Sequence, residues 1–288
     1  PDTTLSPNSI AKHLKVLRAI LNKAVDDGML HAEDIPRKLI TVKEIPPTIT
    51  GLQDKELNKL ITIPLKENTD RWNARNLFLF AMYEGGIRIG DIIQLRWRNI
   101  VGDRLIYVMT KNGKQVNVIL VQEAKKILMR YKRQGQRPEH YIFPYLDSNS
   151  EYAKYLDYED RQKMPPEISK KLFETINARE ARIGMLLREI RALTGIPHLT
   201  FHTARHTFAL RAKEANVDNT TLKNIMQHSS LNTTETYVKK LDRRNEDAAM
   251  KVMYLDKAHH NKEKKRIIKQ IQKLGFSPEE LIELLSGN

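Results

Sequence analysis

The sequence has no cysteine, which excludes disulfides, thiolate nucleophiles and cysteine-ligated zinc or iron–sulfur sites. It also lacks a GxxxxGK[ST] loop and a GxGxxG turn, so the fingerprints of nucleotide hydrolysis and dinucleotide binding are absent and no cofactor is expected. His202 and His206 stand four apart in the string HTARH. That string lacks the glutamate of HExxH and no cysteine completes a site, so no metal is expected either. The longest apolar run, Leu77 to Tyr83, is far shorter than the ~18 residues a membrane span needs. Pro1-Asp2-Thr3-Thr4 has neither the basic start nor the apolar stretch of a secretory leader. A cytoplasmic, nucleoid-associated protein is expected, with no membrane partner. Opening on Pro1 rather than Met reads as the mark of a processed or truncated product.

What the sequence has in excess is positive charge. Among 288 residues, 49 Lys plus Arg stand against 35 Asp plus Glu, a net charge of +14. Such a balance favours a polyanionic partner, because phosphate neutralisation releases counterions. The excess is clustered. Lys12, Lys15, Arg18 and Lys23 lie opposite or beside an apolar stripe of Ile10, Leu14, Leu17, Leu21 and Ala24, as on an amphipathic helix. Lys125, Lys126, Arg130, Lys132, Arg133 and Arg137 form a second basic run, and a third extends from Lys257 to Lys273. Residues 147–160 carry the opposite bias, with five acids and three tyrosines. A solvated helix face is the ordinary reading of any single run; several in one chain point to a binding surface.

Helical periodicity runs from Ser9 to about Gly28. A linker rich in proline follows, with Pro36, Pro46, Pro47 and Gly51, and places a boundary near residue 45. The first 45 residues are too few to bury a core alone and read as the end of a larger helical module. Helices are expected at about 53–62, 73–84, 89–97 and 122–134. Between them, Asp103 to Val121 alternates as a β-hairpin around Asn112-Gly113, the dipeptide of a two-residue type I′ turn, with Lys111 and Lys114 bracketing the tip. After Pro165-Pro166 the pattern is helical almost to the end, and Ser277-Pro278-Glu279-Glu280 opens a last helix. The class is mainly α with a small antiparallel β-sheet.

The chemistry-bearing residues fall into boxes. Glu84-Gly85-Gly86-Ile87-Arg88-Ile89-Gly90-Asp91 sets an arginine after a double-glycine turn, with Asp91 spaced to orient it by an ion pair. His202 and Arg205 are three apart and share a helix face, suited to one anion. Met226-Gln227-His228-Ser229-Ser230 closes a helix on a histidine, and Tyr237 follows nine residues later. Taken singly, each has an ordinary explanation: a surface histidine and arginine, a capping arginine, a turn lysine, a core tyrosine.

Taken in order, GIRIGD, the hairpin lysine, HTARH and QHSSLNTTETY resemble the tyrosine recombinase, or phage integrase, family, over about Thr50 to Lys240. The resemblance implies that family's catalytic-domain fold at 46–256, preceded over 1–45 by the helical remnant of a core-binding domain and followed by a basic, helical tail at 257–288. It implies an active site of Arg88, Lys111, His202, Arg205, His228 and the nucleophile Tyr237, with Lys114 the rival to Lys111. Gln227 departs from the Gly usual before the third-box histidine, and Ala204 from the Leu common inside HxxR; neither removes a functional group. The insert between Tyr145 and Pro166 is longer than in minimal members.

The implied reaction is a pair of transesterifications through a 3′-phosphotyrosyl link, which conserves phosphodiester energy and needs no nucleotide. The implied partners are double-stranded DNA, a homo-tetramer assembled on paired sites, and an accessory DNA-bending protein. Lys12, Lys15, Lys23, Lys125, Lys126 and Arg130 are the expected backbone contacts, gripping the duplex from two sides, and 257–288 docks on a neighbour or on its own domain. A type IB topoisomerase or telomere resolvase would use the same residues, and a non-catalytic DNA-binding regulator would keep the fold.

Overall fold

The computed structural model describes residues 5–36 and 50–227. His228, Tyr237, the third basic run and the last expected helix lie outside the described residues. The chain divides between Thr48 and Ile49 into two compact units.

In the first unit, helix α1 spans Pro7–Asp26. Ser6 caps it, its Oγ accepting from the Ser9 N–H at 3.2 Å, and Pro7 fills the first turn, where no amide donor is required. Of the expected apolar stripe, Leu14, Leu21 and Ala24 are partly covered and Ala11 joins them, whereas Ile10 and Leu17 remain exposed.

The second unit is built on α3 (Asp70–Tyr83), preceded by α2 (Asp54–Thr62). Trp72, Ala74 and the run Asn76–Met82 of α3 are all buried. A helix whose later turns are enclosed on every side is stable only inside a layer of other elements. It packs against α5 (Gln122–Tyr131), the long α7 (Pro166–Thr194) and α8 (Phe201–Glu214). Phe80 meets Phe143 edge-on at 5.4 Å, and Phe143 meets Tyr131 at 5.0 Å, which joins α3, α5 and the segment after α5 into one core. Helix α9 (Asn219–Met226) closes the described part. No helix among the described residues is long and apolar enough to cross a membrane.

The sheet has three antiparallel strands in the order β1 (Ile100–Val101), β2 (Arg104–Val108), β3 (Gln115–Ile119). Leu105 faces Val118 and Tyr107 faces Val116 across the β2–β3 pair, so the alternation read from sequence is the buried face. The mainly helical class with a small antiparallel sheet is the observed architecture.

Two local expectations are corrected. The stretch 89–97 is not one helix: α4 covers only Ile89–Ile92 and a 3₁₀ turn follows at Trp97–Asn99. Ile92, Ile93 and Leu95 are all buried, so apolar residues recur because the segment is enclosed, not because it repeats every 3.6 residues. The hairpin is not closed by a two-residue type I′ turn. Met109 N–H donates to the Lys114 carbonyl and Gly113 N–H to the Met109 carbonyl, which makes Thr110–Gly113 a four-residue loop. Of the two central residues only Gly113 has positive φ, at 65°, whereas type I′ requires both.

Candidate active site

Helix α3 ends at Tyr83, and the chain reverses through Gly85 and Gly86 with φ of 83° and 72°. The left-handed backbone is open to glycine at no steric cost. At Gly86 the space is closed as well: a Cβ there would lie 2.8 Å from both Cα and Cγ of Arg205. The turn delivers Arg88 to the residue preceding α4, with extended backbone (φ −71°, ψ 149°) and its Nη1 3.7 Å from the Met109 sulfur.

Arg205 comes from α8 and is only 5% exposed. Its Nη1 donates to the Gly86 carbonyl at 2.9 Å and its Nη2 to the Met226 carbonyl at 2.6 Å. A buried guanidinium is tolerable only with such partners, and these two fix it between the double-glycine turn and the end of α9. Helix α8 is tied down nearby: Thr207 Oγ1 donates to the Thr203 carbonyl and accepts from the Leu52 N–H at 2.9 Å.

His202 lies in the first turn of α8, one helical turn before His206, whose ring it meets edge-on at 4.5 Å. Desolvation at the cleft wall, then the guanidiniums of Arg205 and Arg88, hold His202 below the usual imidazole range. Desolvation, His202 and Arg205 push His206 down to about 4. Both imidazoles are therefore neutral at pH 7.

Arg88, Lys111, His202 and Arg205 line one cleft of about 450 Å³; Lys114 is not part of its wall. The four residues come from the α3–α4 turn, the β2–β3 loop and α8, and the structure brings them together. His228 and Tyr237 lie outside the described residues. Helix α7 supplies another wall with Phe173, Ile176, Asn177 and Glu180. No motif singles these out, since the helix reads as an ordinary charged one. Glu180 sits against Gly90, its carboxyl pushed up by burial and by the neighbouring Asp91.

Asp91 does not pair with Arg88 as its spacing suggested. Its Oδ1 accepts from the Thr110 N–H at 2.9 Å, anchoring the loop that bears Lys111. Glu84, also missed, is 2% exposed, with Oε1 accepting from the Val121 N–H at 3.1 Å and Oε2 without a partner. Burial raises its carboxyl to about 7.

Of the expected DNA contacts, Lys12, Lys15 and Lys126 are exposed. Lys23 pairs with Asp27 at 2.5 Å, Arg130 with Glu67, and Lys125 lies close enough to Glu84 to lower its pKa. No group of three or more His, Cys, Asp or Glu gathers into a metal-binding cluster among the described residues.

The chain is similar in sequence and fold to known recombinases and integrases. Tyrosine recombinase XerA of Thermococcus kodakarensis is 26% identical over 237 residues, covering 81% of this chain and 71% of the relative. Tyrosine recombinase XerD of Xanthomonas axonopodis pv. citri is 25% identical over 236 residues, 81% of this chain and 72% of the relative. The Tn1549 transposon integrase (residues 82–397), solved in complex with circular intermediate DNA, shares the fold with a TM-score of 0.52. Its sequence identity is 17%, over 86% of this chain and 80% of that one. A lambda integrase dimer bound to a COC′ core site matches with a TM-score of 0.52 and 15% identity, over 83% and 81% of the two chains. The sequence model of the phage integrase family matches residues 51–244, from the segment just before α2 through the expected nucleophile, and the chain therefore belongs to the phage integrase family of tyrosine recombinases.

Proposed function

We propose that the cleft holds one DNA phosphodiester and that the chain, a site-specific DNA recombinase, cuts and rejoins it through Tyr237. The observation that carries this reading is the convergence of Arg88, Lys111, His202 and Arg205 on one cleft from separate parts of the sequence.

The chemistry follows from the groups. Tyr237 Oη attacks phosphorus, the bond to the 5′-oxygen breaks, and a 3′-phosphotyrosyl link and a free 5′-hydroxyl result. A 5′-hydroxyl of another strand then attacks the link and releases the tyrosine, so phosphodiester bonds are conserved throughout. A phenol of pKa ~10 is only about one part in 10³ ionised at pH 7, a cost of roughly 4 kcal/mol. The neutral His202 is the acceptor suited to that proton. The pentavalent phosphorus carries added charge on its non-bridging oxygens. Two guanidiniums answer it, with Arg205 held rigid by its carbonyl contacts and Arg88 presented at the turn; His228 adds a hydrogen bond. An alkoxide is a poorer leaving group than a phenolate, so the departing 5′-oxygen needs a proton, and Lys111 on the hairpin loop supplies it. Exposed Lys12, Lys15 and Lys126 add affinity for the DNA backbone, Lys23, Lys125 and Arg130 contribute beside their acidic neighbours, and base contacts set the site. Residues 1–45 act as the DNA-binding lead-in to the catalytic domain and 257–288 as its tail, in a tetramer on paired sites.

The test is a nicked duplex whose site has been selected from a random-sequence pool by binding to the full chain. The expected result is a denaturation-resistant protein–DNA adduct without added metal or nucleotide, lost in Tyr237→Phe while binding persists. An adduct of equal yield from that variant overturns the assignment. Exchange between two differently labelled duplexes distinguishes recombination from relaxation by a topoisomerase-like enzyme.

A further inference from the structure

The acid-rich insert between Tyr145 and Pro166 borders β2 and the start of the β2–β3 loop, where Asp157, Tyr158 and Arg161 line one pocket with Ile106, Val108 and Thr110. Arg96, 4% exposed, ties the segment leading into it, with Nη1 donating to the Glu139 carbonyl at 2.5 Å and Nη2 to Tyr141 Oη at 2.9 Å, and reaches the insert itself at the Tyr155 carbonyl, 3.5 Å from Nη2. Arg98 adds an ion pair to Asp157 at 3.4 Å. The short helix α6 (Tyr158–Gln162) meets the β2–β3 loop directly at one point and through Gln94 at another. The Tyr158 hydroxyl lies against Gly113, 3.3 Å from where a Cβ would stand. Arg161 Nη1 donates to Gln94 Oε1 at 2.7 Å, and Gln94 Nε2 donates to the Gly90 carbonyl at 2.6 Å and to Thr110 Oγ1 at 3.4 Å.

These contacts bear on Lys111, which among the described catalytic groups sits in the loop between two strands. Lys111 is exposed, on a four-residue loop, between Thr110, which the insert reaches through Gln94, and Gly113, which Tyr158 meets directly. A proton donor must sit within hydrogen-bond reach of the leaving oxygen, and a displacement of about 1 Å can cost up to ~10²-fold in rate. Asp91 fixes the loop at the Thr110 amide. The insert bears on the Thr110 side chain through Gln94 and on the far end of the loop at Gly113.

We infer that Tyr158 and Arg161 are positioning residues for Lys111, with Tyr158 acting through Gly113 and Arg161 through Gln94 and Thr110. The inference rests on the reading of Lys111 as the acid for the 5′-oxygen. A flexible hairpin lysine would thereby be set by a segment specific to the longer insert, distant from the phosphate itself.

The experiment uses the full chain and the selected nicked duplex in two forms, with an ordinary 5′-oxygen or a bridging 5′-sulfur at the scissile phosphate. A thiolate leaves without a proton, so only defects in proton donation are relieved by sulfur. Arg161→Ala and Tyr158→Ala are expected to slow single-turnover cleavage of the oxygen duplex about ten- to hundredfold. They should stay within about twofold of the parent on sulfur, with unchanged melting temperature and DNA affinity. Arg161→Ala added to Lys111→Ala should slow the oxygen reaction no further, because both changes remove one function. Equal slowing on oxygen and sulfur, or an additive double variant, overturns the inference. So does a parental rate for Arg161→Ala and Tyr158→Ala on oxygen when Lys111→Ala is slow and rescued by sulfur, and in that case the lysine's role stands. No sulfur rescue of Lys111→Ala overturns that role, and the inference with it.

Discussion

Gly86 and Arg205 occupy one another's space: the Gly86 carbonyl accepts from Arg205 Nη1 at 2.9 Å, while the Gly86 Cα faces the Arg205 Cα and Cγ so closely that a methyl group would stand 2.8 Å from both. The glycine is thus a requirement of the arginine's placement as much as of the turn. Gly86→Ala is expected to displace the guanidinium and to lower the single-turnover cleavage rate by about 10²–10³, the usual cost of losing one positioned donor. Binding to the same duplex should change far less, since most of the affinity comes from backbone contacts elsewhere. An unimpaired cleavage rate in a folded Gly86→Ala variant would show that Arg205 is not held for the phosphate.

The lowered pKa of His202 fixes where activity fails on the acid side. A histidine whose neutral form is favoured by desolvation and by Arg205 and Arg88 stays able to accept a proton below its ordinary pKa of about 6.5. The cleavage rate should therefore decline on the acid side at a lower pH than an unperturbed imidazole would set. In Arg88→Gln one of the positive neighbours is gone, so the residual activity should lose its acid limb at a higher pH than the parent. Rate profiles of the two proteins measured from pH 5 to 8 check the shift.

Glu84 makes the opposite demand on stability. Its carboxyl rises from 4.5 to about 7 on folding because it is buried, so the folded state holds the proton more tightly than the unfolded chain. The stability associated with this group is whole below pH 4.5 and is lost as pH rises through 7. Between pH 5 and 8 the loss is about 2–3 kcal/mol. His206, pushed down to about 4, has the reverse sign and destabilises the fold as pH falls below 6.5. Glu84→Gln keeps an acceptor for the Val121 N–H and removes only the first effect. Urea unfolding at pH 5 and pH 8 should show the variant gaining about 2–3 kcal/mol on the parent at the higher pH.

Gln227 has φ of 52° and ends α9 in the left-handed conformation. The departure from glycine at this position is therefore not neutral: a residue with a Cβ there costs about 1–2 kcal/mol, partly offset by the smaller entropy it loses on folding. Gln227→Gly is expected to stabilise the protein by about 0.5–1 kcal/mol, read as a rise in melting temperature at constant cleavage rate. A lower melting temperature would mean that the glutamine side chain makes a contact worth more than the strain.

Much of the site could be read from residue order because its groups obey local rules. His202 and Arg205 share a face through helical spacing, Arg88 follows a turn that only glycines allow, and Lys111 stands at the tip of an alternating hairpin. The features that escaped depend on contacts between distant segments. Asp91 was assigned to Arg88 three residues away, yet it bonds the Thr110 amide nineteen positions on. Glu84 ends the helix expected at 73–84, and its partner is the Val121 amide, 37 positions on. Asn112-Gly113 carried the right turn chemistry in the wrong loop length, because the Met109–Lys114 pairing places it inside a wider closure. The helix expected at 89–97 failed for a related reason: enclosure and periodicity leave the same apolar spacing in a short stretch.

Two anchors of Arg205 are main-chain carbonyls, those of Gly86 and Met226. Every residue type carries a carbonyl, so the bond to the end of α9 requires no matching side chain at residue 226. Residue 226 is free to vary among apolar types that keep the helix end buried, while residue 86 is confined to glycine. Mutational tolerance around the arginine should accordingly be lopsided, wide on one side of its fork and nearly nil on the other. A library randomised at both positions would recover many partners for one anchor and a single residue for the other.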